Sequence, residues 1–567
     1  MPQITDLVTQ SGATHVTVTG EDQVIYNENY GDSTDVFIDG ELLVESDTEV
    51  TMMQWHAPRN EIIAVSDPGN NLYNIISIHP ETGEMTTILE DEYFDAKPTP
   101  HPTQPEIVGF LSNRSGSTQV YELNTETGEL TQLTNEERNV SFFDYSPDGS
   151  HIVYQCGKNA ISIHVTGVES SDGEETTLVD FDDSNDIIGD FLLEQPTVWN
   201  EEGILFASDK NGYFNVGFVD ASGNYEWVIE SEYDDIPLAW DGERFLFARK
   251  DNGANRLGIY EDDFISFVSN SGNIQDVAFL SDGTPVYVRA DYQSNGDVWI
   301  GDNREFEVGK YDRSEQLVEP EFVTYESVDG TQIPAFIYEP NSASEKAVMF
   351  VHGTPEMRPC VDFRVREQAL VQAGFTVLVP YYRGTSGFGR EFSEASKGNL
   401  GDSDMEDVVA GAEYLRENGY NTVGAYGHFH GGYLALLARG QTDVFDAVAG
   451  ISTLTDLESI MNHDFPPLVN YYEEKIGGAY NEIPDVYEER SPLTYVDAVS
   501  NPVLLFHGSE NRQVPNKQSE RYVEAVDKHT DADAQYVEYE KEGHYLKQTE
   551  TRIDLTERLI DFYTDTL

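Results

Sequence analysis

The stretch Asn421 to Gly440, NTVGAYGHFHGGYLALLARG, has the spacing of a reactive turn. A short apolar run, Val423 to Tyr426, reaches Gly427; two more glycines follow at 431 and 432, and then good helix formers. That order predicts a strand, a very tight turn and a helix, with glycines allowing the sharp turn and close helix–strand packing. It is the frame G-x-S-x-G, in which a serine at the apex attacks a carbonyl. The apex, position 429, holds phenylalanine. No serine occurs between Ser403 and Ser452, and Thr422 and Thr442 fall on the entering strand and beyond the helix, so no slip of register supplies a hydroxyl. The alternative, a buried strand–helix turn that never held a reactive residue, is opposed by the motifs that flank this one. An elbow apex also takes a strained backbone, which costs a bulky residue about 1–3 kcal/mol. Either the turn is relaxed here, or the ring is held by apolar packing.

The elements around this turn read as alternating strands and helices from about Tyr311 onward. FVTYESVDGTQIPAFIYEP (322–340) reads as a hairpin and KAVMFVHGTPE (346–356) as a buried strand ending in a loop. A helix over 362–373, a strand over 375–384 and a helix starting near Asp404 follow. After the elbow come a strand over 446–452, an irregular region to about 490, and a strand over 502–508. A helix (516–527), a strand (535–540), the turn KEGHY and a helix (551–565) close the chain. Such alternation predicts a doubly wound, mostly parallel sheet with its site at the carboxyl ends of the strands.

Residues 13 to about 310 repeat a different unit: short strands around a Gly/Asn/Ser-rich hairpin. Aligning on Gly31, Gly69, Gly116, Lys158, Gly212, Gly253 and Gly296 gives seven units at roughly the 40–45-residue period of a four-stranded propeller blade. The longest step contains the acidic stretch 169–186, which reads as a surface loop. The TxTGE turns at Glu81–Glu84 and Glu126–Glu129 favour a seven-bladed β-propeller over a pair of β-sandwiches. The expected division is 1–311 for the all-β propeller and 312–567 for the α/β domain. No catalytic constellation stands out in the first half, whose expected role is to bind or to restrict access.

Composition sets the surroundings. Lys and Arg number 33 against 104 Asp and Glu, a net charge of −71, and the acids are spread along the chain. Regular apolar segments and 11% aromatic residues exclude a disordered acidic chain. The composition therefore predicts a folded, halophilic protein with a carboxylate-coated surface, self-repelling at low salt and relieved at ~1 M salt, where screening acts within about 3 Å. Nucleic acid and anionic membrane are poor partners for such a surface. Cys156 and Cys360, far apart, form neither a disulfide framework nor a zinc site, so no metal or cofactor is expected. The start MPQITDLVTQ lacks the pattern of a secretory signal and no apolar run reaches a membrane span, so a cytoplasmic location is expected by default.

The motifs HGTP (352–355), YRGTSGFGREF (382–392), GNLGDSDMEDVVAGAEYL (398–415), GHFHGGY (427–433), SPLTYVDAVSNPVLLFHG (491–508), a Val-Pro turn and EGHY (542–545) stand in one order. Over about 320–567 that order resembles the catalytic domain of the prolyl oligopeptidase family, in its acylaminoacyl-peptidase and dipeptidyl-aminopeptidase-like branch and of haloarchaeal type. The resemblance implies an α/β-hydrolase domain with a propeller in front, and a Ser–His–Asp triad. Carried over, the serine falls on Phe429, the aspartate on Asn511 in HGSENRQVP, and the histidine on His544, which is retained. It implies an oxyanion hole from the backbone N–H of His430 and the Gly353–Thr354 loop, where the family usually has a second glycine. Asparagine cannot stabilise an imidazolium by charge, and Glu510 beside it is poorly placed to take over. His428 and His430 read as packing or oxyanion-loop residues, and His463 as a lone exposed histidine.

Three functions follow as expectations. The first is a peptidase-family protein that has lost hydrolysis and binds peptides, peptide-like ligands or a partner, including a second copy or an intact paralogue, in a propeller-gated cavity. The second is an active hydrolase with a non-standard catalytic arrangement, which a serine-directed phosphonate would label. The third is an interaction protein acting through its propeller, which a cavity substitution would leave unaffected.

Overall fold

The computed structural model describes residues 4–567 apart from 32, 68–72, 137–138, 157–161, 168–175, 181–196, 270, 310, 312–315 and 463–465. The chain forms two compact units, one of Gln10–Asp312 with Cys360–Phe363, the other of the first nine residues with Arg313–Pro359 and Arg364–Leu567.

The first unit is a β-propeller whose blades follow one another in the sequence. Seven antiparallel groups of four strands span 16–44, 49–89, 95–132, 140–180, 197–229, 234–267 and 273–306, and one parallel bridge, Asn255 to Asn273, joins the last two. Each blade packs on the next through inward apolar residues such as Val36, Ile62 and Ala64 between the first two, while a fourth strand such as Leu130–Gln132 is exposed along its length. The hairpins at Gly31, Gly116, Gly212 and Gly253 fall between second and third strands. Gly296 does not: it lies inside the strand Ser294–Ile300, and the turn precedes it at 291–294. Gly69 and Lys158 lie outside the described residues. Of the acidic stretch 169–186, only Thr176–Asp180 is described, and it is the outer strand of the fourth blade rather than a loop, paired with the strand Ser162–Gly167.

The second unit is an α/β-hydrolase fold. Its strands are β1 (Glu321–Glu326), β2 (Gln332–Tyr338), β3 (Lys346–Val351), β4 (Thr376–Pro380), β5 (Thr422–His428), β6 (Ala447–Ile451), β7 (Val503–Gly508) and β8 (Ala534–Tyr539). They pair in the order β1-β2-β4-β3-β5-β6-β7-β8. The hairpin and the β2–β4 pair are antiparallel and all the others parallel. β3, β5, β6 and β7 are apolar runs buried on both faces, as a parallel sheet flanked by helices requires.

Two expectations need correction. Residues 4–9 belong with this unit and not with the propeller, because helix α1 (Ile4–Val8) buries Leu7 and Val8 against α2 (Val365–Gln372) and the final helix. The region from 453 to 490 is not irregular, since it carries helices Leu457–Met461, Pro466–Ile476 and Pro484–Glu489. The prolines that broke the sequence pattern sit at or near helix starts, where a missing N–H costs nothing.

Candidate active site

Four strand ends converge on one place. α3 (Ser403–Glu417) precedes β5, which passes directly into Phe429 and then α4 (His430–Gln441). The loop after β3 brings Gly353 and Thr354, the loop after β7 brings Asn511, and the turn after β8 brings His544. The glycines allow the crossing. A Cβ on Gly427 would sit 2.3 Å from the Gly431 carbonyl carbon, and one on Gly431 would sit 1.9 Å from the Val351 oxygen.

The turn is not relaxed. Phe429 has φ 52° and ψ −113°, a left-handed φ that is strained for any residue with a Cβ. It is 6% exposed. Its ring meets His544 edge-on with centroids 5.1 Å apart and faces Tyr472 at 6.5 Å. Its N–H bonds the Ile451 carbonyl at 2.8 Å, and its carbonyl accepts from Thr453 Oγ1. Packing and backbone bonds thus keep a nucleophile's conformation around a side chain without a nucleophilic atom.

Asn511 reaches His544, with Nδ2 lying 3.2 Å from Nδ1 of the ring. The orientation of the amide follows from its other end, where Oδ1 accepts the backbone N–H of Gln513 and of Val514 at 3.1 and 3.0 Å. Only oxygen can accept two N–H donors, so the NH2 group faces His544. It donates to Nδ1, and the proton of the neutral imidazole therefore sits on Nε2. A triad histidine needs the reverse, a bare Nε2 to take the nucleophile's proton. Burial, with His428 and His507 nearby, holds the His544 pKa well below its ordinary value, so the ring stays neutral. His428 and His507 are themselves lowered to about 4, mainly by burial. Glu510 is exposed on the same turn, and its main-chain N–H donates to the Glu542 carbonyl at 2.9 Å; the side chain that reaches His544 is Asn511.

The oxyanion donors sit differently from the expectation. The His430 N–H donates to the Gly353 carbonyl at 2.9 Å, so the group expected to bind a developing oxyanion already has an acceptor. The loop is held in that pose by His352, whose ring stacks on Tyr382 at 4.1 Å and bonds the Thr354 carbonyl and Thr385 Oγ1. Tyr382 donates in turn to the His352 carbonyl.

Several residues here were not legible as part of a site. Ser452, at the end of β6 with φ 50°, donates from Oγ to the His544 carbonyl, as does His428 Nε2, and together they fix the histidine turn. The His430 ring is fully buried, with Nε2 3.1 Å from Asp404 Oδ2 and Nδ1 3.3 Å from Tyr472 Oη. Tyr472 stands on α5 (Pro466–Ile476), and the same helix pairs Lys475 with Glu356 of the Gly353 loop at 2.5 Å. Their only sequence signal is that charged and tyrosine residues recur in a segment without clear periodicity. His463 lies outside the described residues. Among the described residues no group of three His, Cys, Asp or Glu side chains is placed to hold a metal, and no helix is long and apolar enough to cross a membrane.

Residues 361–567 match the model of the prolyl oligopeptidase family. The acylamino-acid-releasing enzyme of Rattus norvegicus is 30% identical over 249 residues, 41% of this chain and 33% of that protein. Acylamino-acid-releasing enzyme 1 of Oryza sativa subsp. japonica is 23% identical over 438 residues, 71% of this chain and 55% of that one. The matched stretch thus spans about a third of the mammalian relative's length. Among solved structures, a Mycobacterium tuberculosis puromycin-hydrolyzing peptidase superposes with TM-score 0.86 at 19% identity, covering 100% of this chain and 96% of that one. The Pyrococcus horikoshii acylaminoacyl peptidase gives 0.77 at 16%, covering 100% and 97%. At such identities these likenesses establish the architecture, propeller plus α/β-hydrolase domain. In the segment that matches this family model, Phe429, Asn511 and His544 occupy the ends of β5, β7 and β8, together in one site.

Proposed function

We propose that this chain binds peptide-type ligands at the elbow site and does not hydrolyse them. One observation carries the reading: the amide of Asn511 donates to His544 Nδ1 beneath an apex occupied by Phe429. The first removes the base's proton-accepting nitrogen and the second removes the nucleophile, so neither half of acyl transfer has its agent. The ligand class is taken from relatives named for releasing acylated amino acids and for hydrolysing puromycin. The −71 charge supports a salt-rich cytoplasm as the setting, with neither nucleic acid nor membrane as partner. The test is to incubate the purified chain with labelled acyl-peptides in about 2 M KCl, where surface repulsion is screened. Saturable binding without product release is expected; turnover by the unaltered chain overturns the reading.

A second reading, hydrolysis by an unorthodox group, has one observation in its favour. Asp404, His430 and Tyr472 form a carboxylate–imidazole–hydroxyl chain with the proton polarity that His544 lacks. Against it, Tyr472 is fully buried and burial holds its hydroxyl proton tightly. Labelling by a fluorophosphonate, mapped to Tyr472, would decide for it.

A further inference from the structure

The innermost strands of the propeller surround a cavity of about 370 Å³, to which all seven blades contribute. Its wall is not that of a packed channel. Among the described residues, five of the innermost strands are broken by a bulge, at Thr51/Gln54, opposite Gly109/Leu111, at Val140/Phe142, at Pro237/Ala239 and at Ile274/Asp276. A bulge re-aims side chains and is kept where a site needs it. At the third blade the bulged residue is Lys97, with φ 50°. Its ammonium lies 3.4 Å from the Ser141 carbonyl and 5.5 Å from the Phe142 ring centre.

Lys97 of the third blade and Asp276 of the seventh stand on well-separated sectors of the ring, and both line the cavity. Asp276 is anchored by backbone donors alone, from Val16 N–H at 3.0 Å and Val277 N–H at 2.9 Å. Asp144, on the fourth blade, accepts the Tyr145 N–H at 2.8 Å. Among the described residues no cationic side chain pairs with either carboxyl. Between these groups the wall offers the rings of Phe142 and Trp240. One ammonium and a separated carboxylate across an aromatic-walled space match a molecule carrying both charges. The volume suits a small ligand, and a species of zero net charge reaches the cavity without repulsion from the −71 exterior.

We propose that this cavity binds a zwitterion of amino-acid to dipeptide size, its carboxylate at Lys97, its ammonium at Asp276 and its apolar part against Phe142 and Trp240. The inference is independent of the elbow site. Burial raises both Asp144 and Asp276 to about 7. Among the described residues of the wall, His15 is the other titratable group, lowered by burial to about 4 and neutral, and Lys97 is the facing cation. Asp276 must be ionised to hold the ammonium, whereas Asp144, beside the Lys97 sector, aids a carboxylate only while protonated. Affinity therefore peaks near neutrality and falls on both sides.

The test is titration calorimetry on the full chain in about 2 M KCl, with alanyl-leucine against N-acetyl-alanyl-leucine amide. The free dipeptide is expected to bind saturably, with the capped form weaker by at least about tenfold. Lys97→Met and Asp276→Asn are each expected to weaken the free dipeptide by about tenfold or more. Asparagine retains an oxygen for the Val16 N–H, so far-UV circular dichroism should not change. Absence of saturable binding, equal binding of the capped dipeptide, or binding indifferent to both substitutions would overturn the proposal. So would binding that disappears with Phe429→Ala while surviving Lys97→Met, which would place the dipeptide at the elbow.

Discussion

Two side chains decide the chemistry at the elbow, and they act as one unit. In Phe429→Ser the new hydroxyl faces an imidazole whose Nε2 carries the proton, because Asn511 still donates to Nδ1. That variant should hydrolyse acyl-peptides barely, and Asn511→Asp alone not at all. The double change should exceed Phe429→Ser by about 10³–10⁴, since triad members are strongly non-additive. Two-dimensional ¹⁵N spectra of the His544 ring supply the decisive readout, with the proton on Nε2 in the wild type and on Nδ1 after Asn511→Asp. If the double variant is folded, has the proton on Nδ1 and stays inert, the bond from His430 N–H to the Gly353 carbonyl is the next obstacle. The identities at 429, 511 and 544 were legible from motif order alone. The direction of the Asn511 amide was not, because it is set by the N–H groups of Gln513 and Val514, whose positions only the folded turn defines.

Elements matter through what they pin. α5 was unreadable as a helix, with paired prolines at its start and tyrosines without clear period, yet it supplies Tyr472 beside Phe429 and Lys475 to the Gly353 loop. The Lys475–Glu356 pair is nearly buried, with side chains 4% and 11% exposed, and Tyr471 also bonds the carboxylate. Lys475→Met strands a charge in that setting and should cost about 3–5 kcal/mol. The double change with Glu356→Gln should recover much of the loss, and urea unfolding in high salt measures both. A double variant as unstable as the single would mean that the Lys475 stem, rather than the ion pair, holds the loop. The strands were legible because burial on both faces leaves long apolar runs, and the blades because their hairpins recur. The fourth-blade strand Thr176–Asp180 was hidden inside an acidic stretch whose composition resembles a loop.

Across the molecule, the even spread of −71 charges predicts that unfolding midpoints rise as KCl goes from about 0.1 M to above 1 M, where screening shortens several-fold; a flat or falling curve removes the halophilic reading. The two units should also answer pH in opposite senses. In the α/β unit, His428 and His507 are lowered to about 4, so the unfolded chain binds more protons below 6.5. Their contribution is full above 6.5 and is lost as pH falls toward 4, by roughly 3 kcal/mol for such a shift. In the propeller, Asp144 and Asp276 are raised to about 7, so the folded state binds more protons. Their contribution is present below 3.8 and lost as pH rises through 7, and between pH 5.5 and 8 the two together outweigh His15, lowered to about 4, whose effect runs the other way. All five tryptophans lie in the propeller and the described helices lie in the other unit. Tryptophan fluorescence should therefore report greater stability at pH 5.5 than at 8, and ellipticity at 222 nm the reverse.

The docking of α1 beside α2 and the final helix, Thr549–Thr566, imposes an order on synthesis. Ile4, Leu7 and Val8 leave the ribosome long before Thr549–Thr566, one of the two helices that bury them. At roughly 5–20 residues per second, that apolar patch waits about half a minute to two minutes for its seat. Throughout that interval the whole propeller can form while α1 stays uncommitted. The nascent chain thus carries an apolar patch that only the synthesis of Thr549–Thr566 can hide.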